Sequence, residues 1–214
     1  MSNSGDIADQ VTFTLSPGDF FAVVFDMCND GLGTVTDGRL DYVIDAFNGD
    51  LFSGLYDLTM TLTLGNFQVA TGADVLTSSG DVTVSLNIVN ALAVSASISG
   101  SSFTVDANAS SETQTNFSSV QTLDASVSPS PFSMTSSGTL DSTQLSGAVN
   151  YSTPTPLQGF DSEYPSSGQF LVTGENSSTL LTAEGDTVLV EIDADGDGIY
   201  EEMINTTWAE LEAT

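Results

Sequence analysis

Apolar residues recur at every second position along much of this chain. Val82, Val84, Leu86 and Ile88 alternate with Thr83, Ser85 and Asn87, and Leu92, Val94, Ala96 and Ile98 alternate with Ala93, Ser95 and Ser97. Tyr56, Leu58, Met60, Leu62 and Leu64 are interleaved with Asp57, Thr59, Thr61 and Thr63, and near the end Val188, Val190 and Ile192 with Leu189 and Glu191. A period of two sends successive side chains to opposite faces of an extended strand, so each run has one oily face and one Ser/Thr face. That is the pattern of antiparallel strands with one face dry and one wet. It predicts an all-β fold, an antiparallel meander of roughly twelve strands forming a curved open barrel or a two-layer sandwich, because so large a sheet must curl or split.

Turn signals divide the runs at Asn48-Gly49-Asp50, Ser79-Gly80-Asp81, Ser99-Gly100-Ser101, Gly174-Glu175-Asn176 and Glu184-Gly185-Asp186. Each pairs Gly with residues that tolerate tight turns, and Ser99-Gly100-Ser101 reads as the clearest hairpin. Residues 152–167, with Pro154, Pro156 and Pro165, read as a long loop. Residues 207–212 read as at most one helical turn, with Trp208 and Leu211 sealing the end of the core. The expectation is a single domain over residues 1–214, with 1–9 as a flexible N-terminal segment.

Charge narrows the function classes. The 214 residues hold 29 Asp and Glu against one basic residue, Arg39, for a formal net charge of -28, and there is no Lys and no His. Such a surface repels phosphate backbones and anionic lipid, so neither nucleic acid nor an anionic membrane surface is an expected partner. The regular apolar alternation argues against the disorder that high net charge otherwise suggests. No apolar stretch is long enough for a membrane helix, and strands whose second face is Ser, Thr and Asn, without aromatic girdles, do not read as a lipid-embedded barrel. The lone Cys28 allows no internal disulfide and reads as a small buried hydrophobe. The N-terminus has no signal h-region, so the expected extracytoplasmic location (periplasmic, cell surface or secreted) carries the corollary that a leader is not part of this sequence.

Absences constrain catalysis as well. Without His or Lys a Ser nucleophile has no ordinary base, and zinc loses its commonest ligand. No Gly-rich phosphate loop is present. Paired carboxylates remain as chemistry, but no spacing picks out a pair, and a non-enzymatic role is the expectation.

One motif concentrates chemistry: Asp193-Ala194-Asp195-Gly196-Asp197-Gly198-Ile199-Tyr200-Glu201-Glu202. Calcium takes six to eight oxygen ligands, and Asp at positions one, three and five of a tight loop supplies them, with Gly at six making the turn. Asp193, Asp195, Asp197 and Gly198 fill those positions, the Ile199 carbonyl falls at seven, and Glu201 at nine. These ten residues resemble the calcium loops of EF-hands, dockerins and thrombospondin-type repeats. The bidentate Glu of an EF-hand is replaced by Ile204, and the loop follows a strand, so the expectation is a static strand-loop-strand Ca2+ site with Glu202 or a more distant acid completing the shell. The competing reading is an acidic hairpin tip that binds nothing. A weaker echo, Asp26-Met27-Cys28-Asn29-Asp30-Gly31 with Asp37, reads as a turn.

Tyr164-Pro165-Ser166-Ser167-Gly168, residues 188–198 and Trp208-Ala209-Glu210-Leu211 together resemble uncharacterised secreted proteins and lipoproteins of Gram-negative bacteria whose β-domains end in a DxDGDG turn. That resemblance covers the last quarter of the chain and implies an envelope or extracellular location, with no activity attached. The leading expectation is a cell-envelope β-domain with a structural calcium loop that carries a hydrophobic small molecule or serves as a structural module. The alternative is a carbohydrate-binding module of sandwich type that binds a glycan through Trp208, Tyr151, Tyr164 and Tyr200. A carboxylate-dependent glycoside hydrolase comes third.

Overall fold

The computed structural model describes residues 2–3, 15–90, 92–161 and 163–212. Most of the segment expected to be flexible, residues 1 and 4–9, lies outside them. The strands are β1 (Ser2–Asn3), β2 (Phe20–Asn29), β3 (Thr34–Asp50), β4 (Leu55–Thr71), β5 (Asp74–Asn90), β6 (Ala93–Ala107) and β7 (Ser110–Asp124). They continue with β8 (Pro131–Ser142), β9 (Val149–Phe160), β10 (Ser167–Thr173), β11 (Ser178–Glu184), β12 (Thr187–Asp193) and β13 (Glu202–Thr207), and one short helix, α1 (Trp208–Glu212), follows. All strands join one sheet in strict sequence order, each antiparallel to the one before. The sheet is a curved meander that does not close on itself. The all-β meander is thus as expected, with twelve full strands preceded by the two-residue β1.

Register keeps the two faces separate across the sheet. Leu62 pairs with Val82, Met60 with Val84 and Leu58 with Leu86, and on the next strand Val84 meets Ile98 and Leu86 meets Ala96. A slip of one residue would turn this whole set outward, which is why the register is well specified. On the opposite face hydroxyls pair across strands: Thr59 with Ser85 at 3.0 Å, Thr61 with Thr83 at 3.1 Å and Thr104 with Thr113 at 2.9 Å.

Three sequence expectations fail in instructive ways. Ser79-Gly80-Asp81 and Ser99-Gly100-Ser101 are not turns, because both lie inside unbroken strands, β5 and β6. Gly80 sits at a β-bulge, with φ +125° and the Ser102 carbonyl so close that a Cβ has no room. Gly100 leaves space for the Phe117 ring, which lies over it from the neighbouring strand. The expected loop over 152–167 is mostly strand: β9 runs to Phe160, so only 161–166 connects it to β10. Pro154 and Pro156 are tolerated because the ladders on both sides skip there, between Met134 and Ser137 on β8 and, on β10, between Gln169 and Leu171 for Pro154 and between Ser167 and Gln169 for Pro156. Cys28, expected to be buried, is exposed.

Bulges also curve the sheet. Register shifts interrupt nearly every ladder from β2–β3 to β9–β10, and Met27, Asn66 and Asn116 take positive φ at three of them. Each extra residue bends its strand and tightens the local twist. The result is visible in one concavity that touches both Leu62 of β4 and Phe170 of β10. In a flat sheet those strands would stand about 29 Å apart, at roughly 4.8 Å per step.

Candidate functional site

The concavity is an open trough of about 620 Å3 on the apolar face. Leu62 and Leu64 of β4, Val82 and Val84 of β5, and Ile98 and Phe103 of β6 form one wall. Phe117 of β7, Tyr151 of β9 and Phe170 of β10 form the other. Glycines shape this second wall: Gly138 on β8 would place a Cβ 2.6 Å from the Tyr151 hydroxyl and 3.0 Å from the Phe117 Cβ. Tyr151 and Phe170 stack with centroids 6.1 Å apart. The polar groups of the lining are uncharged: Gln114, Ser118, Ser119, Ser136 and the Tyr151 hydroxyl, which donates to Gln114 Oε1 at 3.3 Å. Burial pushes the Tyr151 hydroxyl pKa up, so it stays a neutral donor. Several hundred cubic ångströms with apolar walls and a few polar groups is the usual make-up of a small-molecule site. Ile98 remains 43% exposed within the first wall.

At the end of β12 the Asp-rich loop winds its carboxylates inward. Asp193 is only 4% exposed; its Oδ1 accepts the Gly196 N–H at 2.7 Å and its Oδ2 the Gly198 N–H at 3.1 Å. The Asp195 carboxylate accepts the Asp197 N–H at 3.3 Å, and that of Asp197 accepts the Ile199 N–H at 2.8 Å. Glu201 reaches back to accept the Ala194 N–H at 2.8 Å. Asp193, Asp195, Asp197 and Glu201 thereby bring one oxygen each within 4.8 Å of one another, a group that could hold a metal ion. At that separation each pair of charges repels by about 1 kcal/mol in water and about 3.5 kcal/mol at an effective dielectric of 20, a cost that a cation removes. Ile199 contributes its N–H to Asp197, with its side chain exposed. Glu202 lies outside the four, as the first residue of β13 opposite Ile192. In the echo near the N-terminus, Asp30 accepts the Leu32 and Thr34 N–H groups and Asp37 accepts that of Met27, which makes a capped hairpin turn. Those backbone bonds hold the Asp30 carboxyl below its ordinary pKa.

The four aromatic candidates divide. Tyr151 belongs to the trough and Tyr200 is half-buried beside the Asp-rich loop. Tyr164 and Trp208 come together with centroids 6.0 Å apart and planes 17° from parallel. Sequence reasoning missed the trough's second wall: Phe117 and Phe170 carry no motif, and only the bulges bring them opposite β4. Comparison with protein-family models, characterised proteins and solved structures found no match to this chain.

Proposed function

We propose that this protein is a non-enzymatic, extracytoplasmic carrier of an uncharged hydrophobic small molecule, held in the trough of the curved sheet. The observation that carries this reading is the 620 Å3 apolar concavity whose lining includes no ionisable carboxylate or base. In a chain of net charge -28, an acid-free surface of that size is a departure that favours neutral, oily ligands and disfavours a buried carboxylate or phosphate. The Asp-rich loop supports a second, structural element of the proposal: Ca2+ on Asp193, Asp195, Asp197 and Glu201, whose all-oxygen donor set suits a hard cation.

Titration with the apolar fluorophore N-phenyl-1-naphthylamine tests the carrier role. Saturable enhancement at about one site per chain is expected, and Val84→Asp, which puts a charge on the trough wall, should weaken it about tenfold or more. Thr83→Asp, on the opposite face, should leave it intact. Equal binding by both variants, or none by the wild type, would remove the proposal.

A further inference from the structure

We infer a second, independent binding site at the other end of the chain's chemistry: a cleft of about 390 Å3 beside Tyr164 and Trp208 that takes a neutral saccharide. Three separate segments build it, the β9–β10 connection with Glu163, Tyr164 and Ser166, the β11–β12 turn with Gly185 and Asp186, and the start of α1 with Trp208. Both rings are tethered by their polar ends. The Trp208 indole N–H donates to the Pro165 carbonyl at 2.9 Å, and the Tyr164 hydroxyl donates to Glu212 at 2.8 Å. What remains for a ligand is ring face, and Tyr164 is 46% exposed.

The geometry of the pair selects the ligand class. The two rings lie 17° from parallel with centroids 6.0 Å apart, wider than the about 3.5 Å of direct face-to-face contact, and both residues line the cleft. A platform of fixed rings suits the C–H face of a pyranose. Organic cations are better held by rings at steep angles that box them in. Glu163 and Asp186 flank the platform, and their carboxylates accept no hydrogen bond from any described residue. They are free to accept sugar hydroxyls, while the charge of the chain excludes uronates and sulfated sugars. Because the rings are already locked, little ordering entropy is lost on binding.

Trp208 is the sole tryptophan, so its emission reports on this cleft alone. We would titrate cellohexaose, laminarihexaose, maltohexaose and chitohexaose, each to millimolar concentration. At least one is expected to shift or quench the emission saturably. Tyr164→Ala should weaken that sugar about tenfold or more, as loss of one stacking ring does at other aromatic platforms. Should Tyr164→Ala disturb the chain end by circular dichroism, the Glu163→Gln/Asp186→Asn pair gives the same comparison with the rings in place, with a several-fold loss expected. Silence to all four sugars overturns the inference, as does a response to choline in their place. N-phenyl-1-naphthylamine binding should be unchanged in these variants, so failure here and failure of the trough are told apart.

Discussion

One face of the sheet behaves differently at its two ends. Phe170, Leu181 and Val190 lie in one cross-strand row, so the apolar face continues from the trough into β11 and β12. Around β12, where strands are seven residues long, Val188 is 0% exposed, and Ala183 and Val190 are buried with it. In the trough, where β4 and β5 run for 17 residues, Val82 and Phe117 are buried too, but the same alternating pattern leaves Leu62 and Val84 half-buried and Ile98 open. Periodicity selects which face is dry. How much of that face the protein itself covers depends on how far the sheet curls, and that is set by bulges.

The comparison can be broken most forcefully at the Asp-rich loop, which anchors the short-strand end. Calcium at about a hundred times its dissociation constant should add about 2.7 kcal/mol to stability, provided it binds only the folded state. Thermal melts in calcium and in excess chelator check this, and Asp195→Ala should make the two melts coincide. Next comes the core itself. Val188→Ala should cost about 2 kcal/mol in urea denaturation, whereas Ile98→Ala should cost less than about 1 kcal/mol, because its side chain is already wet. Equal costs would mean the two regions are packed alike.

The smallest expected effect concerns α1. Thr207 and Glu210 form a capping box: the Glu210 N–H donates to the Thr207 hydroxyl at 3.3 Å, and the Glu210 carboxylate accepts the Thr207 N–H at 3.0 Å. Bonds from Thr206 and Thr207 hold the Glu210 carboxyl below its ordinary value of 4.5. A depressed carboxyl stabilises the folded form above the unfolded-state value, and that contribution is lost as pH falls through the lower, folded value. Acid titration below about pH 4.5 should therefore loosen the Trp208 end first, seen in its emission, and Glu210→Gln should remove that step.

Much of the architecture was legible because each link is local. Alternation at Val82–Ile88 and Tyr56–Leu64 identifies strands, and Gly174-Glu175-Asn176 and Glu184-Gly185-Asp186 mark real turns. Gly80 and Gly100 were misread because Gly punctuates chains for two different reasons, a turn or the close approach of another group, and only the partner strand distinguishes them. Residues 152–167 misled in the same way, since a proline's missing N–H is harmless where a ladder already skips. The Asp-rich loop was legible since its ligands are sequence neighbours. The trough was not, because Leu62 and Phe170 line it from strands six places apart in the sheet.

The central claim is that the trough is an apolar surface requiring an occupant, and methyl NMR during a titration with monoolein addresses it directly. The account predicts saturable shifts for the methyls of Leu62, Val82, Val84 and Ile98, with Leu180 and Leu189 on the far face unmoved. Shifts spread evenly over both faces, or absent from the trough, would contradict it.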